Sequence, residues 1–364
     1  VSTASGYSVR VHNTWGAIDP AWREIARTGG ATPFQTPAFL DAWFASYGAR
    51  TGATPVIVEV VRDDAHAMLL PLVRESGVIR FADGGISDNN APVAGPALPA
   101  PGDMATLWPE IRRALPSAAL LHFEKQPESI AGRPNPLLGI GTAHPSPLSA
   151  HPLEMGDSYE DYSRSRTTKF RKEQERVWRV YTRTEGARFD LIDKADRALA
   201  ILADMDRLQG ARMAELGIDA QVGQAAYTAH YQHLVSADIG RDAVLGALTC
   251  NGETVGALLG VSNGQTVTFV RLAHAGGEWS TSSPGRLVIE QTMIALHAKG
   301  VRQFDFSVGD YAYKENFRIT TAPLFDTAIA LSLAGKMKAA RINLRAALRQ
   351  SPLARRLMGK SKDV

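Results

Sequence analysis

The residues best equipped for chemistry fall between 274 and 314. In RQFDFS (302–307), Phe304 and Phe306 alternate with Gln303, Asp305 and Ser307, so Asp305 is a carboxylate on one face of a strand. A carboxylate there is costly unless it is partnered or used. It suits orienting or deprotonating an amine; the structural alternative is an acid that ties down the next loop. His274 follows the strand-like run TVTFVRLA. Its near-neutral intrinsic pKa suits a general base, and the alternative is a surface histidine at a strand end. Ser283-Pro284-Gly285-Arg286-Leu287 reads as a helix start, with Ser283 as N-cap and Pro284 in the first turn. Free backbone N–H groups and a partial positive charge there suit a phosphate. Gly285 permits close approach and Arg286 adds charge, whereas a plain capped helix needs neither. The loop VGDYAYKENF adds Tyr311, Tyr313 and Lys314. A phenol there is able to protonate a leaving group, and Lys314 to bind phosphate or fix Asp305; packing and a surface charge are the alternatives.

These residues must be held by a sheet. AVLGALTC (243–250), TVGALLGVS (254–262) and TVTFVRLA (266–273) are β-rich runs joined by NGE and NGQ turns, which predicts three antiparallel strands. A helix over 284–299, stopped by Gly300, and a strand over 302–307 follow; helices over 193–216 and 223–237 precede. The order is α-α-β-β-β-α-β. The first half repeats it faintly, with helices over 19–28 and 37–47, strands over 54–61, 66–73 and 77–82, a helix over 104–115 and a strand over 118–124. A duplicated unit of about 150 residues fits the length. Residues 126–152, rich in Pro, Gly and Ser, read as a linker and lid, and SYEDYSRSRTTKFRKEQERVWRV as a basic, solvated helix. The fold class is therefore α/β (α+β). The expected domains are 1–150, 151–332 and a basic tail, 333–364.

Several functions are disfavoured. The single cysteine, Cys250, lies in an apolar run and reads as a buried, inert thiol. The two histidines of HYQH (230–233) lack a third ligand nearby, so no metal is expected. GGISDNN lacks the Gly-Lys-Ser/Thr ending of a phosphate-binding loop. Nothing near residue 1 reads as a signal peptide, and no run is long enough to span a membrane, so the expected location is the cytoplasm.

Four segments, FQTPAFLDAW (34–43), SRTTKFRKEQERV (165–177), SSPGRLVIEQTMIALHAKG (282–300) and FDFSVGDYAYKENF (304–317), together resemble the BioF2-like, cellulose-biosynthesis-associated acetyltransferase family. That family belongs to the GNAT superfamily and is related to FemAB-type aminoacyl transferases; some relatives resemble bacterial ceramide synthases. The resemblance covers about residues 30–330. It implies tandem GNAT-like lobes, each a mixed, mostly antiparallel sheet flanked by helices. It also implies transfer of an acyl group from an acyl-CoA or acyl carrier protein to an amine, with no permanently bound cofactor. In that fold the SPG turn faces the donor's pyrophosphate. The family pattern supports functional roles for Tyr311, Tyr313 and Lys314. Where it has an aromatic–acid pair before SPG, this chain reads LAHAGGEWSTSSPG, with His274 near that place. Phe34, Gln35 and Trp43, with Asp88, Asn89 and Asn90 of FADGGISDNNAPVAG (81–95), are candidates to face the acceptor between the lobes. Core packing and Asx turns are the alternatives.

Nine of the 40 Lys/Arg but one of the 37 Asp/Glu fall in 336–364, so the body is mildly acidic and the tail basic. Leu333, Met337, Leu344 and Leu348 recur on one helical face, flanked by Lys338, Arg341, Arg345 and Arg349. Residues 333–362 therefore suit an anionic membrane surface, or else a docked helix with solvated charges. An acidic body argues against a nucleic-acid partner. The expected acceptor is a membrane-associated, sphingoid-base-like amine. An amino sugar of a polysaccharide precursor, FemAB-type aminoacyl transfer and a non-catalytic membrane-surface scaffold are the rivals.

Overall fold

Polar turns of two or three residues between β-branched runs fold each half into hairpins, and each half builds its own sheet. The structure is a computed structural model that describes residues 6–14, 16, 18–217 and 223–350. The first half holds β1 (Ser8–His12), α1 (Asp19–Ile25), α2 (Pro37–Trp43), α3 (Ala49–Thr51), β2 (Thr54–Arg62), β3 (Ala65–Glu75), β4 (Val78–Phe81), β5 (Val93–Ala94), α4 (Met104–Ala114) and β6 (Leu120–Pro127). A connector carries β7 (Ser129–Ile130), β8 (Arg133–Pro134), β9 (Ala143–Ala150) and β10 (Pro152–Glu154). The second half holds α5 (Tyr159–Ser165), α6 (Thr168–Thr182), β11 (Ala187–Ile192), α7 (Ala195–Leu216), α8 (Ala225–Asp238), β12 (Ala243–Cys250), β13 (Glu253–Ser262), β14 (Thr266–His274), α9 (Pro284–Ala298) and β15 (Gln303–Asp305). Finally β16 (Ala322–Ala330) and α10 (Leu333–Gln350) close the described chain.

The repeat read from the sequence is visible in the pairing. In the first sheet β2, β3 and β4 are antiparallel neighbours, and β6 joins β4 in parallel after α4. In the second, β12, β13 and β14 are antiparallel neighbours, and β15 joins β14 in parallel after α9. Each half is thus a mixed, mostly antiparallel sheet with flanking helices, as expected.

The expected boundaries at 150 and 332 do not follow the sheets. β9 and β16 both belong to the first sheet, in the order β1-β2-β3-β4-β6-β16-β9, although β16 follows the second half in the chain. β10 leaves the connector and pairs with β15 in the second sheet. The 126–152 segment is therefore not a loose lid. Pro145 and Pro147, with Ser146 and Ser149, sit in β9, an edge strand, where missing backbone donors are tolerated. The halves also share a core: Phe34, Phe39 and Trp43 pack with Tyr227, Tyr231 and Leu259. The basic segment after residue 157 forms two helices, broken at Arg166, whose guanidinium is buried against the Glu290 carboxylate of α9.

Candidate functional site

Two features of β14 prepare the site. A bulge leaves Val270 unpaired between Leu259↔Arg271 and Gly260↔Phe269. Pairing with β15 ends at Thr268↔Asp305, while β14 runs on to His274. Among the described residues, the backbone edge of β14 beyond Thr268 therefore lacks a strand partner on that side, apart from the Gln209 amide donating to Leu272 O at 3.1 Å. After Asp305 the chain turns away, and Phe306 N–H donates to His151 O at 3.0 Å.

At one end of this opening lies the start of α9. Ser283 occupies the N-cap position in the left-handed region (φ +46°), and its side chain caps nothing. Instead Arg286 Nη2 donates to Ser283 Oγ at 2.8 Å. The N-cap expectation thus holds for position but not for the side-chain bond. The first-turn N–H groups of Gly285 and Arg286 have no helical carbonyl behind them. His274 lies over this turn: a Cβ on Gly285 would be 2.8 Å from His274 Cδ2. Leu287 is buried under the helix, and Gln174 of α6 donates to Arg286 O at 3.4 Å.

At the other end, Asp305 anchors a buried polar cluster. Its Oδ1 accepts Ser307 N–H at 2.7 Å, and burial pushes the carboxyl above its ordinary range against this bond and the backbone N–H of His151. Ser307 adopts a left-handed conformation (φ +61°), a strained state for a non-glycine residue. That conformation serves three contacts, since its N–H meets Asp305, its hydroxyl donates to Asp88 Oδ2, and its carbonyl accepts from Lys314 Nζ at 3.1 Å. Lys314 is 1% exposed and also donates to Val308 O at 3.0 Å. Burial pushes its ammonium down to about 8, although Asp305, Asp88 and Asp310 all favour the charge. Burial likewise raises the Asp88 carboxyl.

His151, absent from the sequence reading, completes the cluster. Its Nδ1 lies 2.8 Å from Ser307 O and its Nε2 3.2 Å from Asp310 Oδ1. It sits where the chain passes from β9 in one sheet to β10 in the other. A lone histidine in a Pro/Ser-rich segment gave no periodic signal; the fold alone brings it to residues 307–314. Tyr311 is exposed, stacks on Tyr313 with ring centroids 6.1 Å apart, and has Lys314 Nζ 5.5 Å from its ring. Burial pushes the Tyr313 phenol up to about 12.

A cleft of about 350 Å³ lies between the halves, lined among others by Thr32, Asn89, Ile130, Thr268 and Asp305. Its charged lining residues are Glu128, Glu154 and Asp305, and among the described residues no Lys, Arg or His lines it. The two glutamates are exposed and Asp305 is buried.

The sequence-predicted residues separate into groups. Asp305, Lys314, Tyr311, Tyr313 and Asp88 come together, and Asn89 lines the cleft nearby. His274 and Asp305 do not meet: Asp305 pairs opposite Thr268, and His274 is six residues further along β14, roughly 20 Å at strand rise. Phe34 and Trp43, each 1% exposed, belong to the shared core rather than facing the cleft. Trp43 Nε1 donates to Asp83 O at 2.8 Å. Gln35 and Asn90 are buried and bond each other at 3.0 Å, which fixes the 83–91 loop against the turn that precedes α2. Cys250 is buried, as expected.

Residues 168–315 match the family model for an acetyltransferase (GNAT) domain. No curated protein sequence matches the chain. Among solved structures, FemX is similar over 88% of this chain and 96% of its own, at 10% identity and a TM-score of 0.64. A conserved protein of unknown function from Bacteroides thetaiotaomicron VPI-5482 is similar over 89% of this chain and 100% of its own, at 10% identity and a TM-score of 0.56. Likeness at such identity is one of fold, and it spans both halves. Residues 168–315 thus have the fold of an acetyltransferase (GNAT) domain.

Proposed function

We propose that the protein is an N-acyltransferase in which the donor thioester lies along the open edge of β14 and the acceptor amine enters from the inter-lobe cleft. The observation that carries this reading is the place of Asp305, which both ends the β14–β15 pairing and lines the cleft. The donor's phosphates meet the Gly285 and Arg286 N–H groups, Ser283 and the Arg286 charge, where a helix start favours an anion. His274, resting on Gly285, belongs to this donor end. Pro284 and Leu287 set the helix that presents it.

The acceptor nitrogen attacks the thioester carbonyl, forming a C–N bond and breaking the C–S bond. Asp305, raised by burial, takes the nitrogen's proton. Lys314 holds the 307–308 carbonyls and favours the charged forms of Asp305 and Asp88 against burial, a positioning role. Tyr311 protonates the leaving thiolate. No covalent enzyme intermediate is required, and the donor is an acyl-CoA or acyl carrier protein used as co-substrate.

The charged lining of the cleft selects the acceptor. Three carboxylates and no cation favour an amine that carries no phosphate or carboxylate of its own. Together with the resemblance to BioF2-like and ceramide-synthase-like proteins, this supports a membrane-associated amino-alcohol lipid of sphingoid-base type.

Product analysis by mass spectrometry tests this, using acyl-CoA or acyl carrier protein donors with sphinganine, sphinganine phosphate and glucosamine. Amide formation on sphinganine, at least about tenfold faster than on its phosphate, is expected. Faster acylation of the phosphate contradicts the cleft argument, and preference for glucosamine moves the acceptor to an amino sugar. Transfer only from an aminoacyl-tRNA indicates FemAB-type chemistry, and no transfer from any donor leaves a scaffold.

A further inference from the structure

The last described helix, α10, carries surface that neither the site nor the fold uses. α10 packs by one narrow face, with Gly335 close against Ala119 O, Ala339 buried beside Leu120 and Ala328, and Ile342 next to them. The opposite face is apolar and open: Leu333, Met337, Leu344 and Leu348 are 79%, 78%, 60% and 57% exposed. They make up half of the large apolar side chains exposed among the described residues. At 3.6 residues per turn, the four fall within about one sixth of the helix circumference. Lys338, Arg341 and Arg345 line one flank of this stripe and Lys336 the other, all exposed, and the helix contains no acid.

A core helix would not leave such a stripe outside, and a merely solvated helix would not contain one. The docked face explains why the helix is held, and the charge pattern says what meets the open face. A second copy of this chain would bring the same basic rows against each other, which like-charge repulsion opposes. An anionic lipid surface accepts the leucines between its headgroups and pairs with the flanking cations.

We propose that α10 is a docking surface for an anionic membrane, lying in the plane of the headgroups with Leu333, Met337, Leu344 and Leu348 inserted. Among the described residues no helix is long and apolar enough to cross a membrane, so the contact is interfacial. This surface does not depend on the acyl-transfer reading, and its test needs no catalysis.

Vesicle flotation of the full chain provides that test. Vesicles containing phosphatidylglycerol retain the protein at low salt, and pure phosphatidylcholine vesicles retain at least about tenfold less. Raising salt to about 0.5 M weakens retention, because the Debye length shrinks. The pairs Leu344→Glu with Leu348→Glu, and Lys338→Glu with Arg341→Glu, each lower retention at least about tenfold. All four positions are exposed, so an unchanged Tm separates this loss from unfolding. Equal retention by neutral vesicles, or retention indifferent to both pairs of substitutions, overturns the proposal. So does a chain whose leucine variants change from dimer to monomer without losing vesicle binding. A chain ended after Gln350 still binds; loss on that truncation, with the stripe substitutions silent, would place the contact elsewhere.

Discussion

Lys314 is the most unusual residue of the candidate site, an ammonium 1% exposed whose hydrogen bonds go mainly to backbone carbonyls. Its charge lowers the carboxyls of Asp305 and Asp88 against the burial that raises them. Lys314→Met therefore moves the acidic limb of the kcat/KM profile to higher pH, because Asp305 then holds its proton more tightly. An unmoved limb would show that the Asp305 charge is insensitive to Lys314. The same residue leaves a mark on stability. Its native pKa, pushed down to about 8, lies below its ordinary 10.5, so the unfolded chain binds the extra proton between those values. Stability attributable to Lys314 thus rises with pH from about 8 to about 10.5, and urea unfolding of the Lys314→Met variant lacks that rise. His230 acts in the acid range. It is buried among the rings of Phe39 and Tyr231, and burial holds it down to about 3, against an ordinary 6.5. The unfolded chain binds the proton first, so stability falls as pH drops below about 6.5. His230→Phe flattens the dependence of Tm on pH between about 6.5 and 4; an unchanged slope would assign acid sensitivity elsewhere.

At the scale of elements, the start of α9 makes a steric claim. Gly285 has no room for a methyl group while His274 stays over it. Gly285→Ala raises the donor Kd or KM by about tenfold or more, and His274→Ala in the same chain restores part of the loss. Full additivity of the two losses would instead assign His274 its own contact with the donor. Elements with strong local signals were legible in the sequence. NGE and NGQ turns between β-branched runs marked β12–β14, and Pro284 with Gly300 bracketed α9. β15 is shorter than the expected 302–307 because Phe306 bonds to His151 rather than to a ladder partner. β9, β10 and β16 were not legible: their Pro-bearing runs AHPSPLSA, PLE and APLFDTAIA take strand form through partners distant in the chain. His151, which depends on the β9–β10 crossover, was hidden for the same reason. Asp305 stood out locally as an acid on a strand, whereas Lys314 was singled out through the family resemblance. The distance between His274 and Asp305 emerged only once the β14–β15 register was known.

For the whole molecule, the exchange of strands between the sheets sets the folding unit. β16 returns to the first sheet after the second is complete, β10 leaves the connector for the second sheet, and a hydrophobic cluster spans both. Calorimetry should therefore give one cooperative transition for residues 1–350, and a fragment ending at residue 150 should not fold, since it lacks β16. Two separated transitions would show independent lobes. The same exchange places the cleft: Ala150 and Pro152 from one crossover and Ala322 and Pro323 from the other line it beside Asp305. The central claim is that an amine entering this cleft is acylated with Asp305 accepting its proton. The most direct measurement is amine-dependent thiol release from acyl-CoA by the native chain and by Asp305→Asn, with donor binding measured alongside. The account predicts release only when sphinganine is present, a drop in kcat of about 10²–10⁴-fold in the variant, and an unchanged donor Kd. Thiol release without an amine, or an Asp305→Asn variant as fast as the native chain, would contradict it.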